Sequence, residues 1–325
     1  MRKNKSEKEE KRSSAFKSFR RTYKNEYVDD FQPPRLFAHA MRSFGMLFKN
    51  WRIFGGLLLI VVIFGVFFVG LMSQKNVASV RSLVDSGELG EFAKAVIVLV
   101  TTVGSGGINQ SLSDSQWLIL SILFVLIWLS TVYILRQILA KKRVTLRQSL
   151  YNSFAPFISS FLIFFTILLE MVPIFLLVIF YSAALKTDFL STPYYALVFL
   201  IFAILLVVLS LYLLSSSIIA LAAVSAPGLY PKAALRAAHD LMFRRRTRFI
   251  IRVLFLVFVV ILNYVLVMIP VILIDNVFKT NFDWAADIPV ISLFLFIMTC
   301  FNFIYISAYI YLYYKEMLDY EPKRS

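Results

Sequence analysis

Ala226-Pro-Gly-Leu-Tyr-Pro-Lys-Ala-Ala-Leu-Arg-Ala-Ala-His-Asp-Leu-Met-Phe-Arg-Arg-Arg-Thr-Arg-Phe-Ile-Ile-Arg252 joins a Pro/Gly break, a short amphipathic segment and an arginine cluster to a long apolar run. Lys232, Arg236 and His239/Asp240 recur at helical spacing on one face, and Ala234, Leu235, Ala238, Leu241 and Met242 line the other. That pattern predicts a helix lying in the headgroup layer just before the chain enters a membrane. Two further stretches repeat it ahead of apolar runs. Arg35-Leu-Phe-Ala-His-Ala-Met-Arg-Ser-Phe44, Thr145-Leu-Arg-Gln-Ser-Leu-Tyr-Asn-Ser-Phe154 and Ala234-Leu-Arg-Ala-Ala-His-Asp-Leu-Met-Phe243 align without gaps, each with Leu second and Phe tenth.

Composition agrees with a membrane class. Of 325 residues 59% are hydrophobic and 16% charged, with 32 Phe, so bilayer lipid takes the place of a water-excluding core. The net charge of +15 is concentrated beside apolar runs, which favours anionic headgroups and membrane orientation over nucleic acid. The single cysteine, Cys300, lies inside an apolar run, which leaves no disulfide framework and no cysteine metal site.

Six spans are expected, at residues 53–72, 117–135, 157–184, 195–222, 249–274 and 289–313. Residues 1–32 read as a disordered basic tail, and 316–325 as a short C-terminal one. No apolar run lies near the start, so the first span is expected to act as its own insertion signal. The apolar stretch 92–103 reaches only about 18 Å as a helix, too short to cross, and reads as interfacial or re-entrant. Arg252, one turn into the fifth span, is expected to snorkel towards water. Of the 34 Lys and Arg, 29 fall in alternate segments and 5 in the others, which puts both termini in the cytoplasm. Each amphipathic segment precedes two spans. The expected architecture is therefore an all-α polytopic protein of three units, about 33–140, 141–225 and 226–315, each a juxtamembrane amphipathic helix followed by a transmembrane hairpin.

Val144-Thr-Leu-Arg-Gln-Ser-Leu before the third span and Pro231-Lys-Ala-Ala-Leu-Arg-Ala-Ala-His-Asp-Leu-Met-Phe-Arg-Arg-Arg before the fifth resemble a bacterial group of six-span proteins. The group includes the YciC-like membrane proteins and the membrane domain attached to some glycerophosphodiester phosphodiesterases, and the likeness spans roughly residues 35–315. It implies a bacterial cytoplasmic membrane location and no defined activity. A phosphodiesterase catalytic domain has no room here, because the largest segments outside the spans are the 52-residue N-terminal segment and the 44-residue loop.

Two groups of residues are candidates for function. Glu170 sits near the middle of the third span, with Ser210, Asn263 and Asn302 at similar depth in the fourth, fifth and sixth, so the four form a candidate intramembrane polar layer. An ionised carboxylate at that depth costs about 2.5 kcal/mol or more, so Glu170 is expected to be paired, hydrogen bonded or protonated. Pro173 has no N–H for the carbonyl of Leu169, which leaves an acceptor beside Glu170. The layer serves either as a proton or substrate site or as polar glue between helices. The second group is basic: Arg244, Arg245, Arg246 and Arg248, with Lys141, Lys142 and Arg143 and with Arg35, Arg42, Lys49 and Arg52, as a surface for lipid headgroups.

His39 and His239 fall on polar stripes and are expected to be solvated. Gly104-Ser-Gly-Gly107 lacks the lysine of a phosphate loop and reads as a hinge. Asn109-Gln-Ser111 has the form of a glycosylation acceptor, which has no bearing if the bacterial reading holds. No nucleophile, base and orienter set is present, so neither an enzyme nor a cofactor is expected. A non-enzymatic envelope scaffold or assembly partner, binding anionic lipid and other membrane proteins, is the leading expectation. A permease subunit using the Glu170 layer is the alternative.

Overall fold

Leu, Ile, Val and Phe in uncharged runs leave the backbone no partner but itself inside a bilayer, and the helix is how a single segment satisfies every N–H and C=O. A computed structural model of the chain describes residues 34–69, 114–187, 192–225, 229–243, 245–281 and 290–320. The tail 1–32, the stretch 92–103, Gly104 to Gly107 and Arg244 lie outside the described residues. Ten helices occur among the described residues, with no strand: α1 Leu36–Lys49, α2 Trp51–Val69, α3 Asp114–Leu139, α4 Leu146–Ser153, α5 Phe157–Glu170, α6 Val172–Lys186, α7 Pro193–Val224, α8 Pro231–Met242, α9 Arg246–Asn281 and α10 Val290–Tyr320.

Among the described residues five stretches are long and apolar enough to cross a membrane: Leu118–Leu139, Phe157–Ala184, Pro193–Val224, Arg246–Asp275 and Leu293–Tyr320. The pair α1 and α2 passes the same test when taken together, bent by 83° at Asn50, which brings the number of candidate spans to five or six. Asn50 stabilises the corner itself, since its side-chain Nδ2 donates to Met46 O at 3.0 Å while its carbonyl receives Ile53 N and Phe54 N. The chain is a multi-pass helical membrane protein. With α2 along a bilayer normal, α1 lies close to the bilayer plane, the attitude its amphipathic sequence predicts. The long helices exceed the expected spans: at 1.5 Å per residue α7 is about 48 Å and α9 about 54 Å, well beyond ~30 Å of hydrocarbon.

The contacts follow one rule. Each short helix lies on the two span helices that precede it, α4 on α2 and α3, α8 on α5 and α7, while α1 lies on α9 and α10. The leading helix of each hairpin packs on the trailing one, α2 on α3, α5 and α6 on α7, α9 on α10. It also touches the trailing helix of another hairpin, so that α5 meets α3, α9 meets α7 and α2 meets α10. The trailing helices α3, α7 and α10 meet in the middle: α10 contacts the other two, and Trp128 on α3 donates its indole N–H to Leu221 O on α7 at 3.4 Å. Leu221 is within the last turn of α7, where carbonyls lack helical donors, so the indole satisfies a group the helix leaves open. The membrane-length windows of α3 and α10 are 56% and 61% buried in protein, against 6%, 11% and 11% for the other three. That difference makes α3 and α10 the centre of the fold.

Close approach at this centre depends on Gly65. A Cβ there would fall on the Phe296 ring, which is itself 1% exposed, so α2 reaches α10 only through the missing side chain.

The three short helices bury the same positions of the aligned windows. Fifth positions His39, Ser149 and Ala238 are buried, as are ninth positions Ser43, Ser153 and Met242, while third, fourth and seventh positions are exposed in all three. On α8 this matches the predicted face, Ala234, Ala238 and Met242 inside and Lys232, Arg236 and His239 outside. On α1 it corrects the expectation. The buried side is His39, Ala40, Ser43 and Leu47, and Phe37, Met41 and Phe48 point outward at 69%, 55% and 63% exposure. His39 is not solvated but fully buried, because α10 supplies its polar partners: Nε2 lies 3.1 Å from Tyr309 O and Nδ1 3.3 Å from Glu316 Oε2.

Candidate functional site

Glu170 marks a break in the third span. Pro173, in the first turn of α6, has no N–H to continue the ladder, and Ile174 N turns to Met171 O at 3.0 Å instead of reaching back to Glu170 O. Two carbonyls thus lose their helical donor, Leu169 O to the missing proline N–H and Glu170 O to the break, and Ser210 Oγ on α7 donates to the second at 2.9 Å. Ser217 Oγ donates to the Glu170 carboxylate, Oε1, at 2.7 Å. The two serines stand seven residues apart, two turns on one face of α7. Helical side chains tilt towards the N-terminus and carbonyls point to the C-terminus, so antiparallel α7 meets the Glu170 side chain with one serine and its carbonyl with the other. Glu170 Oε2 has no hydrogen-bond partner. Arg246, the first residue of α9, acts on Glu170 electrostatically and lies over the Tyr212 ring, 4.0 Å from its centre.

Asn263 and Asn302 form a separate pair. Asn263 Nδ2 donates to Asn302 Oδ1 at 3.2 Å, linking α9 to α10. One residue along, Tyr264 OH donates to Thr299 Oγ1 at 2.9 Å, and that hydroxyl donates on to Leu295 O at 2.8 Å. The sequence places Glu170, Ser210, Asn263 and Asn302 at one depth. The fold joins them two by two, Glu170 with Ser210 inside the middle hairpin and Asn263 with Asn302 inside the last.

The basic residues divide by exposure. Arg35, Lys49, Arg52, Lys141, Lys142, Arg143 and Arg248 are exposed. Lys141 has φ of 56°, the left-handed turn that ends α3, with Lys142 N bonded to Gln137 O and Lys141 N to Ile138 O at 3.0 Å each. Glycine usually takes this position, and here the turn presents two ammonium groups to the surroundings. Arg42, half exposed, donates to Glu316 Oε1 at 2.7 Å. Arg245 points inward, 2% exposed, with its guanidinium 6.0 Å from the Tyr320 ring centre.

Arg252 does not snorkel. It is 4% exposed, donates to Pro34 O and lies 4.9 Å over the Tyr313 ring. Together with His39, Arg42 and Glu316 it ties α1 to α9 and α10. Glu316 carried no sequence signal for this role, because it lies beyond the last expected span and follows one lysine among tyrosines. Among the described residues no cluster of His, Cys, Asp and Glu could hold a metal ion.

Comparison with known proteins adds no relative. No family model matches the chain, and neither a curated protein nor a solved structure matches it.

Proposed function

We propose that the chain is a non-enzymatic scaffold or assembly partner of a bacterial cytoplasmic membrane, built of three units of surface helix plus hairpin, with its basic end in the cytoplasm and in contact with anionic lipid. One observation carries the scaffold reading: the candidate polar residues bond within their own hairpins, Glu170 to Ser217 and Ser210, Asn263 to Asn302. A path for solute or protons needs such groups to face one another across units, with water between them. Hydrogen bonds of this kind contribute about 0.6 kcal/mol each and hold helices in register.

The three-unit reading is supported by the cyclic order of helix contacts and by the shared buried positions of α1, α4 and α8. The orientation rests on the uneven distribution of Lys and Arg. The resemblance of residues 144–150 and 231–246 to the YciC-like group is what points to a bacterial membrane. Lipid contact is supported by exposed cations next to exposed aromatic side chains on every surface helix: Phe37 and Phe48 with Arg35 and Lys49, Tyr151 and Phe154 with Lys142 and Arg143, Tyr230 and Phe243 with Lys232 and Arg248.

The permease alternative has in its favour two unpartnered buried atoms of the candidate layer, Oε2 of Glu170 and Nδ2 of Asn302. Cysteine accessibility separates the two readings. In a Cys300→Ala background, Ser210→Cys and Asn263→Cys should resist a water-soluble, membrane-impermeant thiol reagent from both sides. Fast labelling at either position would mean a water-filled path and would sink the scaffold reading.

A further inference from the structure

Where the trailing helices α3, α7 and α10 end together at the basic side, they line a half-open cleft of about 370 Å³, near the lower end of the ~300–1,000 Å³ range of ligand pockets. Arg136 on α3 and Lys315 on α10 supply its cations, Tyr311, Tyr314 and Ser225 its hydroxyls, and Leu318 part of an apolar wall. Lys315 pairs with Asp319 at 2.7 Å across a solvent-exposed turn, an ion pair that is readily exchanged. Arg136, exposed, has no carboxylate partner among the described residues, and the Tyr311 hydroxyl lies within its field. The two helix ends that border the cavity offer these cations little, because their carbonyls are already engaged: Lys141 N and Lys142 N close α3, while Trp128 and the Ser225 hydroxyl serve α7. Lys141 and Lys142 follow Ala140 at the mouth and add to the positive field.

We infer that this cavity binds a phosphate-bearing anion, with Arg136 clamping the phosphate, Lys315 leaving Asp319 to contact it and the tyrosine hydroxyls donating to its remaining oxygens. A planar guanidinium matches two phosphate oxygens at once, an ammonium follows as a point charge, and the apolar wall suits the carbon skeleton of an ester. The phosphate has two sources, the headgroup of an anionic lipid entering between helices or a soluble phosphate ester from the adjoining water. The site is lined by residues outside the set of exposed surface cations, of which only Lys141 and Lys142 stand near it, and it does not depend on the scaffold reading.

The test uses the full-length protein in phosphatidylcholine nanodiscs. Binding is measured with added phosphatidylglycerol in one arm and with inorganic phosphate and glycerol 3-phosphate in the other. Wild type should bind in at least one arm, and Arg136→Gln/Lys315→Gln should weaken that binding by about tenfold or more. Ala140→Trp, which places a ring at the mouth from an exposed position, should weaken it while leaving the charges in place. Lys141→Gln/Lys142→Gln should weaken it less than the Arg136 and Lys315 pair does. Binding in the lipid arm alone assigns a headgroup, and binding in the soluble arm alone assigns a free ester. No binding in either arm, or affinity unchanged by both the charge and the mouth variants, overturns the inference. Lipid retention that falls with the surface lysines but not with Arg136 and Lys315 also overturns it, while leaving the surface-helix reading intact.

Discussion

His39 Nδ1 lies 3.3 Å from Glu316 Oε2, and the other ring nitrogen faces Tyr309 O at 3.1 Å, so a buried imidazole on the first helix is held between two acceptors on the last. With one ring proton directed at the carbonyl, Nδ1 and Oε2 face each other as two acceptors, and neither has a hydrogen-bond partner. Glu316→Gln supplies a donor to Nδ1 from the residue itself and should be tolerated. Glu316→Leu leaves the imidazole and Arg42 without their carboxylate and should cost about 1–3 kcal/mol. Thermal unfolding in detergent, followed by a fluorescent thiol probe at Cys300, reads both. Equal melting temperatures for the two variants would refute the clamp.

Gly65 and Gly45 make a matched pair. A Cβ at Gly65 meets the Phe296 ring, whereas one at Gly45 meets nothing within 4 Å. Gly65→Ala should therefore lower stability by about 1–3 kcal/mol through overpacking between α2 and α10. Gly45→Ala, in an exposed turn of α1, should raise it by about 0.5–1 kcal/mol by reducing the freedom of the unfolded chain. The same thermal assay distinguishes them, and a drop for both would show that α1, not the α2–α10 contact, sets the limit.

The extent of the spans was legible in the sequence, and the face by which each meets its neighbours was not. Hydropathy locates the spans and puts Glu170, Ser210, Asn263 and Asn302 near the middle of theirs, but helices apolar all round carry no stripe to say which face meets which neighbour. A single polar layer and two separate pairs are therefore indistinguishable until the helices are placed. On α8 the alternation of small apolar and charged residues does define a face, and that face is the buried one. On α1 it misleads. His39 belongs to the polar stripe by residue type, and its burial follows from a carbonyl 270 residues away, a relation no local pattern contains. Pro173 announced one open carbonyl, that of Leu169, and the break around it frees a second, that of Glu170, which is the one Ser210 bonds.

Ser217 and Glu170 offer a direct measure of that bond. Ser217→Ala removes the donor, Glu170→Leu removes the acceptor, and the double variant removes both. A double-mutant cycle should give a coupling of about 0.6–1.7 kcal/mol, within the range for hydrogen bonds between membrane helices. Glu170→Gln retains an acceptor oxygen and should lose less than Glu170→Leu. Additive single effects would mean that the 2.7 Å contact contributes nothing to stability.

Orientation follows from charge and can be read at one residue. Lys142 is exposed on the turn between α3 and α4, the segment that the positive-inside rule assigns to the cytoplasm. Lys142→Cys in a Cys300→Ala background should resist an impermeant maleimide on intact cells and label after permeabilisation. Labelling on intact cells would reverse the topology.

Closure between the first helix and the last leads to a change of chain order. α1 lies on α9 and α10 as α4 lies on α2 and α3 and α8 lies on α5 and α7, so on the three-unit reading the first and last described helices meet at a junction like the two internal ones. Arg42 and Glu316, bonded at 2.7 Å, place the end of α10 beside α1. A circular permutant that starts at Leu229, runs to Tyr320, continues through a flexible Gly/Ser linker to Pro34 and ends at Ser225 keeps every hairpin. Its first span is then preceded by Lys232, Arg236 and the arginine cluster, charge enough to hold that end in the cytoplasm. The permutant should insert with the same orientation, judged by the Lys142→Cys assay, and melt within about 10 °C of the parent. A permutant cut inside a unit, between α8 and α9, separates a surface helix from its hairpin and should be less stable. If the two permutants were equally stable, or the first failed to insert, the units would have no independent meaning and the shared burial of α1, α4 and α8 would reflect only the common demands on a helix at a membrane surface.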